Sequence, residues 1–455
     1  MVKTIGKYVF TFIITMIILI ALLFLSSLIP SSVMQENVKK SSEILIENGE
    51  KETITTSIGE VSLFYFTDAL MINTAYSIDS THPYISMMLD RKNYIPGQTL
   101  NEHVEIEKHV AASPNYVDDY GNTFQVSELY GLMHGENIVD SYEYPRYWHG
   151  YLIFLRPLLA IMDLDTIRTL LLTLTIILII MSLFLIIKKL NIITAFIYLI
   201  SLGLINIFFI SNALNQITPF IIALIAMNFI LLKNGKFKNA GTVFLCIGIV
   251  TSFFDLLTTP LITLGLTLPL YVLLNIKECN KKLYLDCIKL CVSWAVGYVL
   301  CWTLKWVITD LTLNRQIIKD AIYQIIYRTS DMGSYTYLDV VSMNLKNLGK
   351  KVIYIFVALL AIYTIIGLSK EVYLKKIKKI NTSKIEGLKS LILVVIALFP
   401  FLWFGVIKNH SLVHSFFTNR MLIITILCIQ IAFTIFMGLQ DNLLKEKEQK
   451  LKEKV

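Results

Sequence analysis

Apolar runs of membrane length recur along the chain, separated by short polar stretches and by one long polar insertion near the N-terminus. Crossing the hydrocarbon core takes roughly 20 apolar residues, and the run from Tyr8 to Ile29 supplies the first crossing. Nine more are predicted at about 166 to 187, 191 to 209, 217 to 232, 241 to 255, 257 to 274, 285 to 307, 352 to 368, 390 to 407 and 420 to 438. The stretch 241 to 274 is short for two crossings, so one of them is expected to be short, tilted or re-entrant around FFDLLTTP.

The organisation predicted is a first span (1–30), a cap loop (31–145), an interfacial helix (146–165), a helical bundle (166–438) with a second outer segment at 309–351, and a charged tail (439–455). Within the cap, the polar stretch from Val33 to Gly59 predicts a helix followed by a loop. VSLFYF, rich in aromatic and β-branched residues, predicts a short buried strand leading to Asp68, and ALMINTAY the helix after it. Residues 80 to 145 have weak periodicity and predict an irregular α+β structure. In YPRYWHGYLIFLRPLLAIM, Trp148, Leu152, Leu155 and Leu159 recur at helical spacing, with His149 and Arg156 on another face and Pro157 expected to kink or end the helix. That pattern predicts a helix lying in the membrane interface with its aromatics at headgroup level. In the second outer segment, Ile318, Ala321, Ile322 and Ile325 predict one helical face and Asp320, Gln324 and Arg328 another.

Composition agrees with the pattern. Of 455 residues, 55% are hydrophobic and only 16% charged, whereas soluble domains carry about 25% charged residues. The fold class expected is therefore mostly α, a polytopic helical membrane protein of about ten spans with a small outer α+β cap. The net charge of +8 is not an invitation to nucleic acid, because the lysines gather in short loops between apolar runs. Lys3 and Lys7, Lys188 and Lys189, Lys233, Lys236 and Lys238, Lys277, Lys281 and Lys282, the stretch 370 to 389 and the tail KEKEQKLKEKV fall on one side. The insertion, with about eighteen acidic residues against seven basic, falls on the other. The positive-inside rule then places both termini in the cytoplasm of a bacterial plasma membrane and the cap outside. Cys246, Cys279, Cys287, Cys291, Cys301 and Cys428 lie in or beside spans or on the inner side, so no disulfide framework is expected, and no metal-ligand spacing occurs. The N-terminal run is longer than a signal-peptide core and reads as a retained anchor.

Candidate chemistry lies on the outer side. Asp68, directly after an apolar strand, is placed either to cap the following helix or, partly desolvated, to act as a base. Asp79 is a lesser candidate of the same kind. Asp255 sits between two apolar runs, where an acid either faces a cavity or occupies a tight turn. KNHSLVHSFFTNR gathers Lys408, His410, His414 and Arg420, a set suited to an anion such as phosphate or to plain interfacial snorkelling. Arg146, His149 and Arg156 add to that positive ring, and Arg315 and Arg328 are placed to join it.

One outer Asp after the first span, interfacial helices in the outer loop, outer cations and about ten spans resemble the C-type membrane glycosyltransferase (GT-C) fold. YPRYWHGYLIFLRPLL, FFDLLTTPLITLG and KNHSLVHSFFTNR resemble bacterial membrane proteins of that class. The resemblance implies transfer of a sugar from a polyprenyl-phosphate donor to a glycan or other envelope acceptor, with Asp68 matching the general base and Lys408, His410 or Arg420 matching phosphate-binding positions. No cofactor is implied beyond the lipid-linked donor, and a divalent metal is left open. The chain departs from the family in the distance from the first span to Asp68, and it has neither a paired-acid motif nor a WWDYG signature. Two other functions fit the same pattern: a flippase, polymerase or transporter of lipid-linked saccharides, and a membrane-anchored assembly protein whose cap recruits partners. Few ionisable groups fall at span centres, which disfavours ion-coupled transport.

Overall fold

The computed structural model describes residues 2–49, 51–93, 123–135, 141–276, 281–330, 335–373 and 385–440. Parts of the expected cap (94–122 and 136–140), Lys277 and Cys279, the centre of the lysine-rich stretch (374–384) and the tail (441–455) lie outside the described residues.

Helix α1 (Val2–Ser27) leads through a 3-10 turn (Ser31–Met34) into α2 (Gln35–Asn48). Strands β1 (Lys51–Thr56) and β2 (Gly59–Phe64) then form an antiparallel hairpin, pairing Lys51 with Phe64 and Thr56 with Gly59. The strand–helix reading around Asp68 holds, with α3 (Phe66–Tyr76) following β2. The cap continues through α4 (Pro83–Leu89), β3 (Arg91–Asn93), α5 (Thr123–Met133) and β4 (Ser141–Glu143), with β3 and β4 antiparallel.

The interfacial helix is shorter than its periodicity predicts: α6 spans only Leu152–Leu159. His149 adopts a left-handed backbone (φ 49°), which breaks any helix before it. Gly150 donates to the Phe253 carbonyl at 2.9 Å, so close that a Cβ there would meet the Phe253 ring at 2.3 Å. Trp148 is not at headgroup level. It is fully buried, stacked on Phe253 (5.2 Å) and donating to the Cys301 carbonyl at 2.7 Å.

The bundle consists of α7 (Leu164–Lys189), α8 (Ile192–Leu204), the short α9 (Ile207–Ile210), α10 (Leu214–Leu232), α11 (Ala240–Phe254), α12 (Leu261–Asn275) and α13 (Lys281–Leu313). There follow α14 (Ile317–Thr329), α15 (Tyr337–Leu348), α16 (Lys350–Tyr373), α17 (Ile385–Ala397), α18 (Phe399–Val406), α19 (Lys408–Val413), α20 (Ser415–Thr418) and, after a 3-10 turn at Asn419–Leu422, α21 (Ile423–Phe436). Among the described residues six helical segments are long and apolar enough to cross a membrane: Ile5–Ser27, Leu164–Lys189, Leu214–Leu232, Lys282–Leu313, Lys350–Ser369 and Ser415–Phe436. Ile192–Leu204, Ala240–Phe254, Leu261–Asn275 and Ser390–Val406 are apolar but shorter. The expected span 390–407 is broken at Leu398, where Pro400 in the first turn of α18 starts a new helix.

Helix α14 has a different inward face from the one its pattern predicts: Ile317 and Ala321 are buried, while Ile318, Ile322 and Ile325 are exposed. The apolar core of the bundle runs through α7–α13 and α17–α21. A second core joins the cap to it, packing Leu63, Tyr65, Ala69 and Ile72 with Leu19 and Leu23 of α1, Phe253 of α11 and Cys301 of α13. The cap is thereby packed against α1, α11 and α13.

Candidate functional site

Asp68 does not cap its own helix. The N-cap of α3 is Tyr65, without a side-chain cap, and Asp68 lies in the first turn, wholly buried. Its carboxylate accepts from Arg168 Nη2 of α7 at 3.2 Å and from the backbone N–H of Leu214, the first residue of α10, at 2.9 Å. It thus caps another helix, placing negative charge at that helix's N-terminus. Burial pushes its pKa up to about 6 against the pull of Arg168 and the Leu214 N–H. Arg168 in turn stands 4.4 Å over the Tyr65 ring and 3.4 Å from Asp165. Asp79 is exposed, and its carboxylate accepts from the Thr81 N–H and hydroxyl and pairs with His82, which hold its pKa well below the usual range and make it a local turn.

The expected cations of residues 146–156 each have structural partners. Arg146 pairs with Asp320 of α14 at 3.1 Å. Arg156, fully buried, donates Nε to the Ser26 carbonyl at 2.9 Å, and its two terminal nitrogens donate to the carbonyls of Ala75 and Ile29. It therefore joins the C-terminal ends of α1 and α3, where carbonyls lack helical partners and cations are favoured. His149 Nε2 donates to the Tyr144 carbonyl at 2.9 Å and lies 4.0 Å from Asp90, and its Nδ1 is 3.0 Å from the Tyr151 hydroxyl.

Beside His149 is a buried pair absent from the candidates above. Asp90, closing α4 in a left-handed conformation (φ 48°), accepts from Lys305 Nζ of α13 at 2.9 Å. Lys305 also donates to the Met87 carbonyl at 2.8 Å and stands 5.3 Å from the Trp148 ring. Burial raises Asp90 to about 7 despite Lys305. The signal for this pair is the single lysine in CWTLKWVITD, an ammonium inside an otherwise apolar run, which demands a partner.

Asp255 ends α11 in a tight turn that it organises itself. Both carboxylate oxygens accept from the Thr258 N–H (3.1 and 3.0 Å), and one also accepts from the Thr258 hydroxyl. Burial nonetheless pushes its pKa up to about 7. At the crest of the turn Leu257 has φ 65°, and its carbonyl receives His410 Nε2–H at 2.8 Å. Arg328 of α14 donates Nη1 to His410 Nδ1 at 3.0 Å. A guanidinium can only donate, so His410 is neutral and its tautomer is fixed. Burial, then His414 and Arg328, keep the His410 pKa well below its ordinary value, and burial with Arg328 lowers His414 to about 3. The two imidazoles lie 4.6 Å apart.

Several buried polar atoms near this turn have no hydrogen-bond partner among the described residues: the Tyr298 hydroxyl, Thr259 Oγ1, Asn215 Oδ1, the Gln216 amide and His414 Nδ1. Tyr298 is within reach of the charges of both Asp255 and Arg328. Buried polar atoms are costly when unpaired, at about 1–3 kcal/mol each.

The set 408–420 divides into two faces. His410 and His414 point to Arg328 and the Asp255 turn. Arg420 turns to the hairpin, donating Nη2 to the Ser62 carbonyl at 3.3 Å and lining a separate cavity of about 340 Å³. Lys408, partly buried, begins α19, and Arg315 pairs with Glu143 at 3.1 Å rather than joining Arg328. Asp68 makes no hydrogen bond or ion pair with residues 408–420 among those described. The link is indirect: Asp68 holds Leu214, the next carbonyl, Asn215, lies 3.3 Å from the Thr258 hydroxyl, and that turn contacts His410. Among the described residues no three His, Cys, Asp or Glu side chains gather as a metal site would require. No protein-family model, no curated protein and no solved structure matches this chain.

Proposed function

We propose that the protein is an integral-membrane glycosyltransferase of about ten spans. It moves a sugar from a polyprenyl-phosphate donor to an envelope acceptor at the cap side, taken as the outer face from the distribution of lysines. The observation that carries this reading is the Asp255 turn meeting the His410–Arg328 pair, with unpartnered polar atoms around it. Transfer needs a carboxylate to take the acceptor hydroxyl proton as its oxygen bonds to the sugar carbon. It also needs a cation to receive the phosphate oxygen as the sugar–phosphate bond breaks. Asp255, with a pKa near neutrality, fits the first role and Arg328 the second. Asp68, ion-paired with Arg168 where Asp255 pairs with no cation among the described residues, is read as a positioning residue that fixes the start of α10 beside the turn through the Leu214 N–H. Apolar grooves between the spans would hold the polyprenyl tail.

The test uses the full chain in lipid nanodiscs with a panel of polyprenyl-phosphate hexoses and envelope glycan. Asp255→Asn is expected to lower kcat by about a hundredfold or more with the fold retained. Asp68→Asn is expected chiefly to lower thermal stability, because it leaves the buried Arg168 with only the exposed Asp165 as counter-charge. The opposite pattern would return the base to Asp68. Movement of lipid-linked saccharide across vesicles without transfer would sink the transferase reading in favour of a transporter.

A further inference from the structure

Helices α7 and α10 run side by side, in the same direction and in register. Near their N-terminal ends Asp68 holds both Arg168 of α7 and the Leu214 N–H of α10. Further along, the Ser182 hydroxyl of α7 donates to Asn228 Oδ1 of α10 at 3.1 Å, at the same offset of 46 positions, and Asn228 Nδ2 donates to the Leu178 carbonyl. The C-terminal ends of the two helices therefore lie at one depth, about 30 Å along the helices from Arg168, which is close to the thickness of a hydrocarbon core.

Five exposed lysines gather at these ends: Lys188 and Lys189 on α7, and Lys233, Lys236 and Lys238 after α10. The chain after α10 turns back through Asn234 (φ 51°) and Gly235 (φ 65°), the Gly235 N–H donating to the Ile230 carbonyl at 3.0 Å. Phe237 packs on Phe229 at 5.7 Å, which brings its neighbours Lys236 and Lys238 to the end of α10. No Asp or Glu lies between Asp165 and Asp255 in the chain, and among the described residues none of the five lysines pairs with a carboxylate.

Each helix also carries exposed apolar side chains up to its lysines, Ile180, Phe184 and Ile187 on α7 and Phe229 and Leu232 on α10. Lys188 Nζ stands 5.8 Å from the centre of the Phe184 ring. Cations at the end of an apolar stripe fit a molecule with a negative head and a hydrocarbon tail. Free phosphate or an acidic protein would use the lysines and leave the stripes bare. We propose that the paired ends of α7 and α10 bind an anionic phospholipid, its phosphate among the lysines and its acyl chains along the stripes. Lysines at helix ends also complement the helix dipole, but that role involves no lipid. The site uses none of the groups around Asp255 and is independent of the transfer chemistry.

Native mass spectrometry of the full chain in detergent tests it, with phosphatidylglycerol and phosphatidylcholine of matched chains as probes. Phosphatidylglycerol is expected to be retained at least about tenfold more strongly, each lysine near the headgroup contributing about fivefold. The double variants Lys188→Gln/Lys189→Gln and Lys233→Gln/Lys236→Gln are each expected to remove most of that preference at an unchanged thermal midpoint. Lys319→Gln, at an exposed lysine of α14 outside the cluster, is expected to keep it, and Phe184→Ala to weaken phosphatidylglycerol retention several-fold. Equal retention of the two lipids, a preference unchanged in both double variants, or one lost equally in Lys319→Gln would overturn the site. Displacement of phosphatidylglycerol by an equal concentration of glycerol 3-phosphate or of polyglutamate would overturn a lipid as its occupant.

Discussion

In its proposed role as the base, Asp255 depends on a balance between burial and the turn that holds it. Burial favours the neutral acid, so the carboxyl keeps its proton up to about pH 7 even though the Thr258 N–H and hydroxyl favour the anion. The working form of a base is the anion. Transfer is therefore expected to fall about tenfold per pH unit below pH 7 and to level off above it, and a kcat/KM profile from pH 5 to 9 checks this. A rate unchanged down to pH 5 would remove Asp255 from the chemistry. At this scale the sequence was a partial guide. Asp68, Asp255 and His410 stand out by residue type and position, but their partners do not. The side chains that decide their roles, Arg168, Thr258 and Arg328, come from other segments, and no local spacing encodes such meetings. Arg156 shows the limit most plainly: a cation near an outer face reads as an anion ligand, yet it is surrounded by helix-terminal carbonyls. Lys305 was legible, because an ammonium in an apolar run calls for a counter-charge, but nothing near it in sequence identifies Asp90.

Helix existence followed from apolar periodicity, and helix edges followed from contacts that periodicity does not carry. Helix α6 starts late because Gly150 and His149 are drawn onto Phe253 and Tyr144, and α14 turns Ile317 and Ala321 inward although Ile318 and Ile322 are the larger side chains. The pairing of α11 with α13 depends on glycine in the way membrane helices often do. A Cβ at Gly248 would lie 2.1 Å from the Trp294 carbonyl, and one at Gly297 2.3 Å from the Leu245 carbonyl. The obstruction is backbone in both cases, so it cannot move aside cheaply. Gly248→Ala or Gly297→Ala is expected to cost roughly 1–3 kcal/mol, read as a lowered unfolding midpoint in mixed micelles. It is also expected to disturb the Asp255 turn that α11 carries. Wild-type stability in both variants would show that the helices part without cost.

For the whole molecule, the proposed topology, drawn from the sorting of charge along the chain, has the hairpin and the Lys236 loop on opposite sides of a membrane. Thr55→Cys is expected to react with a membrane-impermeant maleimide on intact cells, and Lys236→Cys only after permeabilisation. The reverse would invert the assignment, and equal labelling would dissolve it. The strand and helix around Asp68 were legible in the long polar insertion, while their packing was not, since the core beside them is made by residues such as Trp148 that resemble interface aromatics in sequence. Arg156 has a further implication for biogenesis. The carbonyls it binds belong to residues 26, 29 and 75, between 81 and 130 positions earlier in the chain. During synthesis the first helix and the domain after it must emerge before their clasp exists. Until residue 156 arrives, those ends stay unlatched, and a nascent chain halted short of it would present them to chaperones and proteases as an open form.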